Sequence, residues 1–190
     1  MKTITKNLYS FEELDKEIQD KIINENTDIN IQGEWWDFLF EDFNLELENI
    51  GLTSKDFYYD LDRGSYFKIE KPYVKDERIF LQATGNEKEL FLLDLLESVT
   101  ETEITEINIS ENNRHYVVDI HYTNDGEKFA DEITNIADRM AGNIDDYMEK
   151  LTDKFLKILQ EHHDYLLSDE AIEETIIANE YYFTEDGKRE

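Results

Sequence analysis

From Phe129 to Ile158 apolar side chains return every three or four residues: Phe129, Ile133, Ile136, Met140, Ile144, Tyr147, Leu151, Phe155 and Ile158. That is the helical period, so the spacing predicts a helix over residues 127 to 164 with one buried stripe. Unbroken, such a helix spans ~57 Å at ~1.5 Å per residue. A compact chain of 190 residues has a radius of gyration of roughly 16 Å and a diameter of about 42 Å. The helix therefore either breaks, with Gly142 and Asn143 as the expected place, or projects from the body.

Around this segment the sequence predicts further helices and two hairpins. Ser10 with Glu13 reads as a capping box, with Tyr9 and Leu14 placed as its hydrophobic staple. Phe11, Leu14, Ile18 and Ile22 then predict a first amphipathic helix over about 11 to 25. A second is expected from 33 to 49, with Trp36, Phe40, Phe43, Leu47 and Ile50 on one face and Gly51 as its C-terminal cap. Short aromatic and β-branched runs, Phe57 to Leu61, Ser65 to Ile69 and Arg78 to Ala83, read as strands. The first two meet at a turn over Asp62, Arg63 and Gly64, and the single proline, Pro72, marks the following loop. Asn86 with Glu89 is expected to cap a short helix to about Val99, whose nearly continuous Leu and Phe content predicts burial on most sides. A second hairpin is expected from Ile104 to Ser110 and Arg114 to Tyr122, turning at Glu111, Asn112 and Asn113, with Tyr116, Val118, Ile120 and Tyr122 on one face. Ser168 is expected to begin a last short helix, followed by an aromatic tail, Tyr181 to Phe183, and a turn at Asp186-Gly187. Residues 1–190 read as a single α+β domain, with amphipathic helices packed on antiparallel hairpins and the long helical segment near the C-terminus.

Charge restricts what this fold can do. The chain has 47 acidic against 19 basic residues, a formal charge of -28, while 39% of it is still aliphatic or aromatic. That is enough apolar material for a core. Direct grip on a polynucleotide backbone needs clustered Lys and Arg, so nucleic acid and anionic membrane are excluded as partners. There is no Cys, hence no disulfide, thiolate metal site or cysteine nucleophile. Met1 to Ser10 lacks the apolar core of a signal peptide, and no apolar run approaches the ~20 residues that span a bilayer. A cytoplasmic protein is expected.

Catalytic signatures are missing: no Gly-rich phosphate loop, nucleophile elbow or His-Glu-x-x-His stands in the sequence. Asp60, Asp62 and Gly64 imitate a calcium loop, but Ser65 stands where glycine is needed and Lys71 where a bidentate Glu belongs. Asp119 and His121 share a strand face, yet His115 lies roughly 20 Å from His121 at ~3.3 Å per residue, too far to chelate with it. His162 and His163 sit near a helix end, where capping is the simpler reading. No enzyme activity, cofactor or metal is expected.

The carboxylates are informative through their arrangement. Glu34, Asp37, Glu41 and Glu48 fall at spacings of three, four and seven on the second helix, with Asp42 and Glu46 alongside and no lysine between them. The long segment repeats the theme with Asp131, Asp138, Asp145, Asp146, Glu149 and Asp153, partly relieved by Arg139, Lys150 and Lys154. Like charges three or four apart cost ~0.2 to 0.5 kcal/mol per exposed pair. Duplex DNA carries one charge per ~1.7 Å, so 28 charges match ~48 Å of duplex. A chain this negative can present a DNA-like field to a basic cleft; the plain alternative is a solvated acidic surface.

Tyr9-Ser10-Phe11-Glu12-Glu13-Leu14, Trp35-Trp36 followed by Glu41-Asp42-Phe43, and above all Leu166 to Lys188 resemble a family of small acidic phage and prophage proteins. Ser168 to Glu180 and Phe183-Thr184-Glu185-Asp186-Gly187-Lys188 carry most of the likeness. Where that family has Gly-Asp-Gly-Ala-Ser-Phe, this chain has the reduced Asp62-Arg63-Gly64-Ser65-Tyr66-Phe67. The resemblance carries over no catalytic residue; it implies a mobile-element origin, where small acidic proteins often disarm host nucleases. The expectation is a phage-encoded anti-defence inhibitor, an anti-CRISPR or anti-restriction protein. It would act as a DNA mimic in the basic channel of a CRISPR effector or restriction nuclease, through Glu34, Asp37, Glu41, Asp42, Glu48, Asp131, Asp138, Asp145, Asp146, Glu149 and Asp153. The alternative is a non-enzymatic interaction module, an antitoxin-like neutraliser or adaptor, anchored by Trp35, Tyr181 and Tyr182.

Overall fold

A computed structural model gives the structure of the protein and describes residues 7–62, 64–112 and 115–190. In chain order its elements are β1 (Tyr9–Ser10), α1 (Lys16–Glu25), α2 (Asp37–Asn49), β2 (Leu52–Thr53), β3 (Asp56–Asp60), β4 (Tyr66–Glu70), β5 (Tyr73–Val74), α3 (Glu77–Ala83), α4 (Glu87–Val99), β6 (Ile104–Asn112), β7 (His115–Tyr122), α5 (Ala130–Leu166), α6 (Asp169–Ala178) and β8 (Tyr182–Phe183). Two 3-10 turns, Phe11–Glu13 and Asn124–Phe129, complete them. Helices combined with two-stranded antiparallel pairs make this an α+β fold. The chain divides into two compact units, one built from the described residues up to Phe38 with Ile158–Glu190, the other from Leu39–Lys157.

In the first unit Phe11, Leu14, Ile22 and Ile23 pack with Ile172, Ile176 and Phe183 in one buried cluster. The short β1–β8 pair, with Tyr9 opposite Phe183, ties the two sequence-distant halves of that cluster together. The capping box forms: the Ser10 N–H donates to the Glu13 carboxylate at 2.8 Å. It closes only the 3-10 turn, however. Leu14 is extended and Asp15 restarts the chain as the N-cap of α1, so the helix expected from 11 begins at Lys16. Ser168 caps α6 as expected, its hydroxyl oxygen accepting from the Ala171 N–H at 3.2 Å.

The second unit is organised around aromatic rings. Phe40 and Phe43 of α2, Phe57 and Phe67 of the β3–β4 hairpin and Phe155 of α5 form one cluster. Phe43 and Phe155 stack with centroids 4.1 Å apart. In the hairpin Phe57 faces Ile69 across the ladder and Tyr59 faces Phe67; Phe57, Phe67 and Ile69 are buried, which is the alternation a half-buried strand requires. The turn residue Arg63 lies outside the described residues. Asp60, one of the imitation calcium ligands, instead accepts from the Asp62 N–H at 2.8 Å. In β7 Tyr116 and Val118 turn inward while His115, Asp119 and His121 stay outside. Of the expected turn, Glu111 and Asn112 instead extend β6, paired with Tyr116 and His115; Asn113, and Arg114 expected to open the next strand, lie outside the described residues.

Four expectations are corrected. Residues 33 to 36 are not helical, with a turn at Trp35 and Trp36, so the second helix starts at Asp37. Arg78 to Ala83 is helix α3, not a strand, because Asp76 caps it, its carboxylate accepting from the Ile79 N–H at 2.9 Å. On α4, Asn86 makes no side-chain cap. It donates to the Thr84 hydroxyl at 3.0 Å and accepts from Asn143 at 2.9 Å, while Glu89 is buried beside Arg139. Nor is α4 buried on most sides: Phe91 is 62% exposed and Val99 70%. The Gly51 cap holds, at φ +74°, and an added Cβ would stand 2.7 Å from the Asp76 carbonyl oxygen.

The long helix does not break. α5 runs for 37 residues, Gly142 included, about 55 Å at ~1.5 Å per residue. Met140 and Ile144, both fully buried, anchor the turns on either side, and the cost of one glycine in a helix, about 1 kcal/mol, is too small to undo that packing. Gly142 is exposed, with open space where a Cβ would stand. Gly142→Ala is therefore expected to raise stability by about 0.5–1 kcal/mol, read as a higher urea midpoint with an unchanged slope. Among the described residues no helix is long and apolar enough to cross a membrane.

Candidate partner-binding surface

On a helix turning about 100° per residue, Asp131, Asp138, Asp145, Asp146, Glu149 and Asp153 fall within an arc of about 100°. The buried residues of α5, among them Met140, Ile144, Leu151 and Phe155, occupy the facing side. Five of these carboxylates are exposed, all but Asp145. Two of the nearby cations look elsewhere. Lys154 holds both Glu46 carboxylate oxygens of α2, at 2.6 and 2.7 Å, and Arg139 points its Nε at buried Glu89, 3.3 Å away. Lys150, exposed beside Glu149, offsets the row in part.

Asp145 sits at the edge of the arc nearest the core, and it serves the fold. One carboxylate oxygen accepts from the Tyr116 N–H at 2.7 Å, and the other lies 3.0 Å from His115 Nδ1. A side chain on α5 thereby pins the start of β7. Beside it opens a cleft of about 700 Å³ between β4, the β6–β7 hairpin and α5. Its floor is apolar, from Phe67, Ile69 and Met148, and its rim carries Glu111, Asp146 and Glu149 against Lys68. An apolar floor under a carboxylate rim suits an alkyl chain ending in a cation, as in Arg or Lys. The Tyr116 phenol stays neutral there: burial first, then the Glu111 and Asp145 carboxylates, push it well above the usual phenol range.

The acidic residues of α2 are arranged differently. Glu41 and Glu48 are exposed and nearly aligned, with Asp42 exposed about a quarter-turn away. Phe43, which stacks on α5, lies about 140 to 160° round the helix from Glu48 and Glu41, so these two point away from α5. Glu34 and Asp37 are exposed residues of the first unit. The structure gathers the α5 carboxylates into one track and leaves those of α2 on a separate face.

Of the aromatic anchors, Tyr182 is 51% exposed. Tyr181 is half-buried with Arg189 4.3 Å over its ring. Trp35 packs against Trp36, His162 and His163, with centroids 5.3 to 5.8 Å apart, and Phe38 meets the His162 ring edge-on at 4.9 Å. The histidines read as helix-end caps are thus also aromatic packing partners. Burial lowers the His162 imidazole from its ordinary value of about 6.5. A depressed value means the folded state favours the neutral ring. Its stabilisation is present above about pH 6.5 and is lost as pH falls through the lowered value. Trp35 and Trp36 are the only tryptophans, and an imidazolium quenches indole emission. The part of the quenching that His162 causes is therefore expected only below about pH 6.5, and His162→Gln should remove that part while leaving the contribution of His163, 5.3 Å from Trp35.

Among the described residues no group of three or more acidic or imidazole side chains is placed to hold a metal ion. Sequence reasoning found the α5 row but missed the cleft, since the link from His115 to Asp145 joins positions 30 apart and leaves no local signal. No protein-family model, characterised protein or solved structure matches the chain.

Proposed function

We propose that the protein is a phage-encoded anti-defence inhibitor. In the host cytoplasm it offers the α5 carboxylate row to the basic nucleic-acid channel of an effector such as a CRISPR effector or restriction nuclease. The observation that carries this reading is the alignment of Asp131, Asp138, Asp146, Glu149 and Asp153 on one helix face, with Lys154 and Arg139 engaged elsewhere. Magnitude sets its form. From Asp131 to Asp153 the row is about 33 Å long at ~1.5 Å per residue, and its five carboxylates average one charge per ~6.6 Å. One polynucleotide strand carries a charge per ~3.4 Å of axis, and a duplex one per ~1.7 Å. The row is thus a sparse imitation of a single strand. It fits Lys and Arg spaced a helical turn or more apart, with the Asp146–Glu149 cleft receiving one of them.

Order of addition tests this. A Cas9-type effector with its guide, and separately a restriction endonuclease, are mixed with the protein before or after their DNA. A decoy for the channel inhibits DNA binding when added first and has little effect once DNA is seated. Equal inhibition in both orders would place the contact outside the channel and refute the reading.

A further inference from the structure

The apolar character of α4 is left unexplained by the acidic row. A helix that is apolar on nearly every side is ordinarily a buried one. Here Phe91, Leu95 and Val99, four apart on one face, are 62%, 44% and 70% exposed. Next to them a groove of about 360 Å³ runs between Leu92, Leu96 and Val99 of α4 and Ile136 of α5. Contiguous exposed apolar surface of this kind marks interaction sites.

Charge decides what fits. The face is bordered by Asp94 of α4 and the groove by Glu132 of α5, with Lys88 exposed at the N-terminal end of the face, and Arg139 at the groove is turned to Glu89. A second copy of the chain would bring another formal charge of -28 against this rim, which self-repulsion opposes. We propose that the exposed apolar face of α4, with its groove against α5, docks a basic amphipathic helix of a partner protein. The partner's apolar residues at positions i, i+3 or i+4, and i+7 would seat beside Phe91, Leu95 and Val99, and its flanking Lys and Arg would meet Asp94 and Glu132. The site does not depend on the polynucleotide-mimic reading, because none of these residues belongs to the α5 row.

The test uses the full chain and two labelled synthetic peptides of about 18 residues, long enough for five helical turns. Both contain the same Leu and Lys residues; in one the Leu line a single helical face, and in the other the order is shuffled so that no face forms. The amphipathic peptide is expected to bind about tenfold more tightly or better, judged by fluorescence anisotropy, because only it presents a row of apolar anchors. The double variant Phe91→Ser/Leu95→Ser, whose altered side chains are exposed in the wild type, should keep the wild-type circular dichroism. It should bind both peptides at the shuffled level. Neutralising the α5 row should weaken both peptides alike and leave their ratio intact, which separates failure of this site from failure of the acidic decoy. Equal binding of the two peptides, or an unchanged ratio in the double variant, overturns the proposal. So does wild-type dimerisation, seen by sedimentation, that the double variant abolishes.

Discussion

Phe155→Ala is expected to lower the stability of the protein by about 3–5 kcal/mol, the range for removing a large aromatic side chain from a packed core. Phe155 is fully buried. It stacks on Phe43 and meets the edges of Phe57 and Phe67 at centroid distances of 6.5 and 5.5 Å. Its deletion therefore strips contacts from α2 and from both strands of the β3–β4 hairpin at once. Rings are stiff, so the cavity left behind closes only in part. Urea unfolding measures the effect, and Phe155→Leu, which keeps most of the volume, should cost about 1–2 kcal/mol. A loss under about 1 kcal/mol for the alanine variant would mean that this ring does not join the three elements.

The other large effect is functional. Replacing Asp131, Asp138, Asp146, Glu149 and Asp153 together by their amides is expected to weaken capture of the basic target by roughly 10²- to 10⁴-fold, if each exposed pair contributes about 0.5–1 kcal/mol. The amides keep side-chain size. All five positions are exposed, and like charges crowd along one helix, so stability should hold or rise slightly. Asp145 is left out on purpose, because it accepts from the Tyr116 N–H and its loss would confound binding with folding. Amides on α2 at Glu41 and Glu48, which point away from α5, serve as the matched control and are expected to weaken binding by less than about threefold. A larger loss there than from the α5 set would move the interface to α2.

How far the sequence carries the argument varies from element to element, for physical reasons. The α5 helix was legible because its apolar residues repeat over many turns and no local signal competes with them; Gly142 was overweighted as a breaker because buried Met140 and Ile144 outweigh its propensity cost. Helix α3 was misread because Ile79, Phe80 and Leu81 form an apolar run too short to show a period, although Asp76 before Glu77 was a usable capping signal. The first helix was overextended since a capping box signals a turn of helix and says nothing of its length. On α4, composition indicated burial, whereas exposure depends on what packs on the helix, which no local pattern encodes. The aligned carboxylates of the candidate surface were visible as spacing. The inward role of Asp145 and the cleft beside it came only from long-range pairing with β7.

The central claim is that an ordered row of anions on α5 stands in for a polynucleotide in a basic channel. It is tested most directly by the slope of log affinity against log salt for a captured effector, compared between the wild-type chain and the five-amide variant. Replacing bound counterions by discrete carboxylates predicts a steep negative slope for the wild type, reduced by several units in the variant. A wild-type affinity indifferent to salt, or equal slopes for the two proteins, would contradict it.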